Sequence, residues 1–311
     1  MYMRPLVTFL AQQAPVAIST PWPELYWDNE HVLLVRDHKN LRTQQDNIAR
    51  AEFVHKRGEK NIWIPTPQGP EIQVLKLSYT QALVSKKKNV FEALIESVRT
   101  IRSVKADQLD FRFDIPPSTI RVDPRLFDGC PRKPLALFKL PTCRKEWNCP
   151  ARNPDPRLWG PLLIELRKTH HIHGVGFLKH GEEWLDGCTI EHCDSMSLYG
   201  ELRWTEMAAM MKLADICVCA PSNWIPLGLA VGAKLFCVFG GHVAPNALVH
   251  SGMIQYVNQW EYVAPDPFCF CVNGKHSCFK QIPVSKALSA LKKALCTARP
   301  LTTLTCPLDR S

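Results

Sequence analysis

The sequence has no run of 18 or more apolar residues, so no segment reads as a membrane-spanning helix. Its opening, MYMRPLVTFLAQQAPVAIS, has too short an apolar core and too early a proline for a secretory signal, and a cytoplasmic protein is expected. Also missing are a Gly-x-Gly-x-x-Gly turn after a strand, a Walker loop and a Gly-x-Ser-x-Gly elbow, which argues against a dehydrogenase, an NTPase and an α/β-hydrolase. No block of one charge sign stands out. The longest basic run is Lys86-Lys87-Lys88; residues 1–125 hold 18 Lys and Arg against 14 Asp and Glu, and residues 126–311 hold 20 against 15. The net charge of +9 is therefore spread out, which suits anionic partners such as nucleotide-sugars, lipopolysaccharide cores or nucleic acid, and equally a solvated basic surface. The 13 cysteines are odd in number, which argues against a complete disulfide framework, and Cys217, Cys219 and Cys237 lie in apolar runs that suit reduced core thiols.

With 311 residues, 46% hydrophobic and 22% charged, the chain is long enough for two globular domains. A Pro- and Asp-rich stretch from Asp114 to Pro134 marks the boundary, giving domains at 1–125 and 126–300 and a polar tail at 301–311. In the first domain the pattern predicts a helix at 5–13, strands at 16–20, 31–36 and 109–113, a helix within 41–55 and an amphipathic helix over 89–102. In the second it predicts strands at 135–140, 172–178, 216–219 and 235–239, with helices over 157–170, 204–213 and 284–295. Short apolar runs without alternation suit parallel strands covered on both faces.

The chain is organised around residues 213–241. A strand, Ile216–Cys219, turns at Ala220-Pro221-Ser222-Asn223 into an apolar helix and then a strand that stops at Gly240-Gly241. In a parallel sheet ligands sit beyond the carboxyl ends of the strands, so both turns point at one crevice. Ser222 or Asn223 can cap the helix, and its N–H groups would favour phosphate; the same residues also suit an ordinary N-cap and turn.

This passage resembles the donor-binding unit of the heptosyltransferase-like glycosyltransferases, glycosyltransferase family 9. Ser197-Leu198-Tyr199-Gly200-Glu201-Leu202 is similar to that family's approach to the donor strand, Leu227–Gly232 to its helix, and Phe239-Gly240-Gly241 to its closing turn. The resemblance implies an α/β fold of two Rossmann-like domains facing across a cleft, the GT-B arrangement. It also implies sugar transfer from a nucleotide-activated donor to an acceptor hydroxyl, inverting and metal-independent, with the nucleotide-sugar as co-substrate and no cofactor. Pro221 stands where the family has an acidic residue, Pro226 where it has His, and Ser222 is retained.

The resemblance also suggests where the donor binds. The loop after the strand at 135–140 offers Thr142, Arg144, Lys145 and Arg152 for the diphosphate, joined by Ser222, Asn223, Gly240, Gly241 and His242. Glu182 and Glu183, just past the next strand, are candidates for the nucleoside hydroxyls. A Gly-Asp turn that holds the family's proposed general base has no match, so either the chain is truncated, another carboxylate is the base, or the protein is not an active transferase. Glu24 and Asp28 are the first substitutes, with Asp37 and Asp46 nearby. Cys269, Cys271, His276 and Cys278 could make a zinc site, but Cys-x-Cys is tighter than the usual spacing; reduced cysteines are preferred and no metal is expected. A glycan or a nucleic acid is the expected acceptor. The alternatives are a transferase acting on modified bases of viral DNA, and a binding protein that kept the fold and lost catalysis.

Overall fold

The computed structural model describes residues 1–20, 22–35, 63–74, 77, 89–99, 103–115, 133–144, 153–176, 178, 183–187, 190–198, 202–268 and 282–297. The chain opens with α1 (Arg4–Ala11), which places Pro5 in the first turn, where its lack of an N–H breaks no helical bond. Strands β1 (Val16–Ser19), β2 (Val32–Val35) and β3 (Trp63–Ile64) form a parallel sheet in that order. Helix α2 (Val90–Val98) is capped by Asn89, whose Oδ1 accepts from Phe91 N at 2.8 Å. Its Phe91, Leu94 and Val98 are buried.

The second unit runs β4 (Leu135–Lys139), β5 (Thr142–Arg144), α3 (Trp159–Arg167), β6 (His171–Val175), β7 (Glu183–Leu185), β8 (Ser195–Ser197), α4 (Trp204–Leu213), β9 (Ile216–Cys219), α5 (Trp224–Ala230), β10 (Leu235–Val238), α6 (Pro245–Leu248), β11 (Trp260–Val263) and α7 (Val284–Cys296). Six of its strands make a parallel sheet in the order β11-β10-β9-β4-β6-β8, while β5 and β7 pair antiparallel beside it. The chain leaves β4 outward through α3 to β6 and β8, then returns through α4 to β9 on the other side of β4. The reversal between β4 and β9 is the topological switch point, where the connections diverge and open a crevice.

Alternation along the strands divides the core. Ala136, Phe138, Ile216, Val218, Phe236 and Val238 face α3 and α7, whereas Leu137, Cys217, Cys219, Leu235, Cys237 and Phe239 face the opposite side. On that side lie Ala208 and Met211 of α4 and Leu227 and Leu229 of α5, and the same cluster continues into Leu6, Leu10, Phe91, Leu94, Phe111 and Phe113 of the first unit.

The two units thus share one apolar core. Polar contacts reinforce it: Trp204 N donates to Glu24 Oε1 at 3.1 Å, Asn89 Nδ2 to the carbonyls of Asn246 and Val249 at 2.8 and 3.1 Å, and Phe113 N to Ala230 O at 2.8 Å. A hydrogen bond adds about 0.5–1.5 kcal/mol net. Fully burying a Leu or Phe adds about 1.5–3 kcal/mol, so the shared core is the larger effect.

Two readings change here. Residues 109–113 are not a strand: Leu109, Phe111 and Phe113 alternate inward, but the segment joins no ladder and instead packs between the two units. The helix over 89–102 is described only as α2, because residues 100–102 fall outside the described residues. Outside them too lie the helix expected within 41–55, with Asp37 and Asp46, the boundary at 125/126 and the tail at 301–311. Among the described residues no helix is long and apolar enough to cross a membrane.

Candidate functional site

The carboxyl ends of β4, β9 and β10 are neighbours, so the segments that follow them line one rim. After β4 the chain turns at once: Thr142 N donates to Leu140 O at 2.9 Å, and Thr142 opens β5 opposite Leu185 of β7. Arg144 is in register with Glu183, which places one basic and one acidic candidate directly across a two-stranded ladder. Lys145, Arg152 and Glu182 lie outside the described residues, as do Cys269, Cys271, His276 and Cys278. Among the described residues no group of three or more His, Cys, Asp or Glu side chains could hold a metal ion.

After β9, Ser222 rather than Asn223 closes the end of α5: its Oγ accepts from Trp224 N at 3.3 Å, while Asn223 is exposed and makes no side-chain cap. After β10, Gly240 and Gly241 are buried, Val243 N reaches back to Gly241 O at 2.9 Å, and His242 sits at φ +72°. A left-handed conformation is costly for a residue with a Cβ, and such outliers concentrate at ligand loops. The structure therefore brings Thr142, Ser222, Gly240, Gly241 and His242 to the same end of one sheet.

The first unit meets that end at its own strand termini. The segment after β1 carries Trp22, whose ring stands edge-on to Trp204 with centroids 4.9 Å apart, and Glu24, which is buried. The Glu24 carboxylate sits on the first N–H of α4, where a negative group is favoured by the helix dipole. Beside it, Arg203 and Glu206 pair at 2.6 Å, and that bond raises the guanidinium pKa above its ordinary value. Asp28 lies nearer the surface, paired with the buried Arg4, which is itself fixed by Leu25 O and Arg112 O at 2.9 Å each and lies 4.7 Å over the Phe113 ring. Glu24 is thus at the junction of the units, and Asp28 is held by a buried cation.

Sequence reasoning missed a polar file along the sheet edge, in which Ser195 Oγ lies 2.9 Å from His171 Nε2 and 2.8 Å from His173 Nδ1, with His173 Nε2 3.1 Å from Ser197 Oγ. This file satisfies imidazoles that β6 buries and fixes β8 in register.

Two parallel α/β units whose strand termini meet at a switch-point crevice define the GT-B class of fold. The particular likeness is to a glycosyltransferase of family 9 from Veillonella parvula DSM 2008, a solved structure with a TM-score of 0.57 and 11% identity over 94% of this chain and 92% of that one. Similar at lower TM-scores are the iron-containing dodecameric glycosyltransferase TibC of enterotoxigenic E. coli H10407 (0.49, 13% identity, 90% and 76% covered) and the E. coli ADP-heptose lps heptosyltransferase II (0.43, 13% identity, 59% and 53% covered). No protein-family model matches the chain. A search of curated proteins likewise finds no match. The likeness read from residues 197–241 holds at the level of the fold.

Proposed function

We propose that the chain is a glycosyltransferase that takes a sugar from a nucleotide-activated donor and passes it to an acceptor hydroxyl with inversion and without a metal. The observation that supports this most is the gathering of Thr142, Ser222 and the Gly240–His242 turn at the switch point of a GT-B fold. The second unit holds the donor there, and the first unit presents the acceptor from the side of Trp22 and Glu24. The acceptor oxygen attacks the anomeric carbon, the bond to the diphosphate breaks, and the proton passes to a carboxylate of the first unit. Backbone N–H groups and cations around the crevice stabilise the departing diphosphate. Arg144, Lys145, Arg152 and Asn223 complete the proposed phosphate set, with Glu182 and Glu183 toward the nucleoside.

A second reading, a binding protein without transfer, is favoured by one observation: both candidate bases are engaged, Glu24 by Trp204 N and Asp28 by Arg4. One experiment orders the two readings. Thermal melts of the full chain are run against nucleoside diphosphates and their sugars. A ligand at about 100 times its Kd should stabilise by roughly 2.7 kcal/mol. Stabilisation by one nucleotide that weakens in Ser222→Ala, with release of free nucleoside diphosphate when acceptor is added, is the expected result. Stabilisation without release leaves the binding protein, and no stabilisation by any of them sinks the transferase reading and leaves the binding protein in front.

A further inference from the structure

Two tryptophans meet where the units join. Trp22 follows β1 in the first unit, and Trp204 opens α4 in the second. Their rings stand edge to face, with centroids 4.9 Å apart and planes at 77°. Helix α4 follows β8 of a parallel sheet, so Trp204 lies on the carboxyl side of that sheet, the side on which ligands of such sheets are held. Each tryptophan is fixed through its backbone: Trp22 N donates to Thr20 Oγ1 at 3.1 Å, and Trp204 N to Glu24 Oε1 at 3.1 Å.

Both rings are half-buried, and neither indole N–H donates to a protein group or is closed off from solvent. One residue on, Thr205 Oγ1 is buried without a hydrogen-bond partner among the described residues, an uncommon state for a hydroxyl. The corner therefore combines aromatic surface with unused polar capacity. A pyranose ring matches that combination: its C–H hydrogens are weakly positive and settle on an aromatic face, and its hydroxyls take up donors and acceptors around the rim.

Charge selects among ligands that have a flat face. Arg203 is bonded to Glu206 at 2.6 Å, and Glu24 adds a second carboxylate on the first N–H of α4. Two carboxylates thus stand against one guanidinium that is already paired. A nucleic-acid strand binds chiefly through cations on its phosphates, and this corner offers it the opposite sign. A neutral sugar meets no such repulsion.

We propose that Trp22 and Trp204 form a stacking platform for a neutral pyranose, which makes the acceptor of the transfer a glycan rather than a nucleic acid. The acceptor role rests on the glycosyltransferase reading; the binding of the sugar does not.

The test is saturation-transfer NMR of the full chain with the methyl glycosides of glucose, galactose, mannose and N-acetylglucosamine, which shows the ring protons that touch the protein and, by titration, each Kd. An oligo-dT strand is titrated alongside by fluorescence anisotropy. Trp22→Leu and Trp204→Leu keep apolar bulk but remove the aromatic face, whereas Trp22→Phe and Trp204→Phe keep a ring. The Leu variants should weaken the sugar by roughly 10-fold or more, the order of loss for a removed stacking ring, and the Phe variants by less than about 3-fold. A role in packing alone would let Leu bind as well as Phe. Ligand-free melting temperatures show which variants fold, and where one Leu variant does not, the other decides. Unchanged affinity in a folded Leu variant, no binding of any glycoside, or tighter binding of the oligo-dT strand overturns the platform and leaves the transferase reading standing. Ring-dependent sugar binding in a chain that no nucleoside diphosphate stabilises sinks the transferase reading and leaves the platform.

Discussion

At the residue scale, the buried imidazole of His170 shows how the fold sets a pH limit. Burial lowers its pKa below the ordinary value, opposed by the charge of Asp215 and aided by that of Lys234, and its Nδ1 lies 2.8 Å from Thr169 Oγ1. The unfolded chain, with an imidazole titrating at about 6.5, takes up the proton first. Stability is therefore full above that value and is lost as pH falls through the lower folded pKa. Urea unfolding at pH 7.5 and at lower pH should show wild type losing more stability than His170→Gln; equal losses would assign the pH dependence to other groups.

At the element scale, the four inner strands β4, β6, β9 and β10 were legible because both sheet faces are covered, and burial on both sides writes itself as unbroken apolar runs such as Ile216–Cys219 and Leu235–Val238, whereas the partly exposed edge strands β8 and β11 carry no such run and were not read. Residues 109–115 misled for the complementary reason: side chains at Leu109, Phe111 and Phe113 alternate inward, and alternation alone does not supply a hydrogen-bonding neighbour. The antiparallel β5–β7 ladder was not foreseen at all, since three-residue strands leave too little periodicity to read. Just past β7 lies Gly187, whose φ is +64° and whose missing Cβ would stand 2.0 Å from Pro156 Cβ and 2.9 Å from Pro156 Cα. Because backbone as well as ring is in the way, Gly187→Ala should destabilise by about 1–3 kcal/mol. Chemical denaturation measures this, and a change below about 0.5 kcal/mol would show that the turn can move away from the Pro156–Leu158 helical turn that leads into α3.

At the scale of the whole molecule, the joining contacts are long-range, 180 residues apart for Glu24 with Trp204 and 157 for Asn89 with Asn246. No local pattern encodes them. The crevice could be inferred from strand order, but not the apolar core that continues from α4 and α5 into α1 and α2. With that core shared, the chain should melt in one calorimetric transition whose enthalpy equals the van't Hoff value. Glu24→Ala removes the carboxylate on the first N–H of α4 and should cost about 0.5–2 kcal/mol while the transition stays single. Two resolved transitions in the wild type would show that the units unfold independently.

The shared core also bears on how such a chain can diversify. A protein whose halves touch only across a solvent-filled gap can exchange one half with a relative by recombination and keep both parts folded. In this chain Phe91, Phe111 and Phe113 interlock with Leu227 and Leu229 in one cluster, so a graft of the first unit from a distant homologue would bring half of a mismatched jigsaw. On the proposed transferase reading, new acceptors would then be reached by substitutions on the loops around Trp22 and Glu24 rather than by wholesale replacement of the unit that carries them.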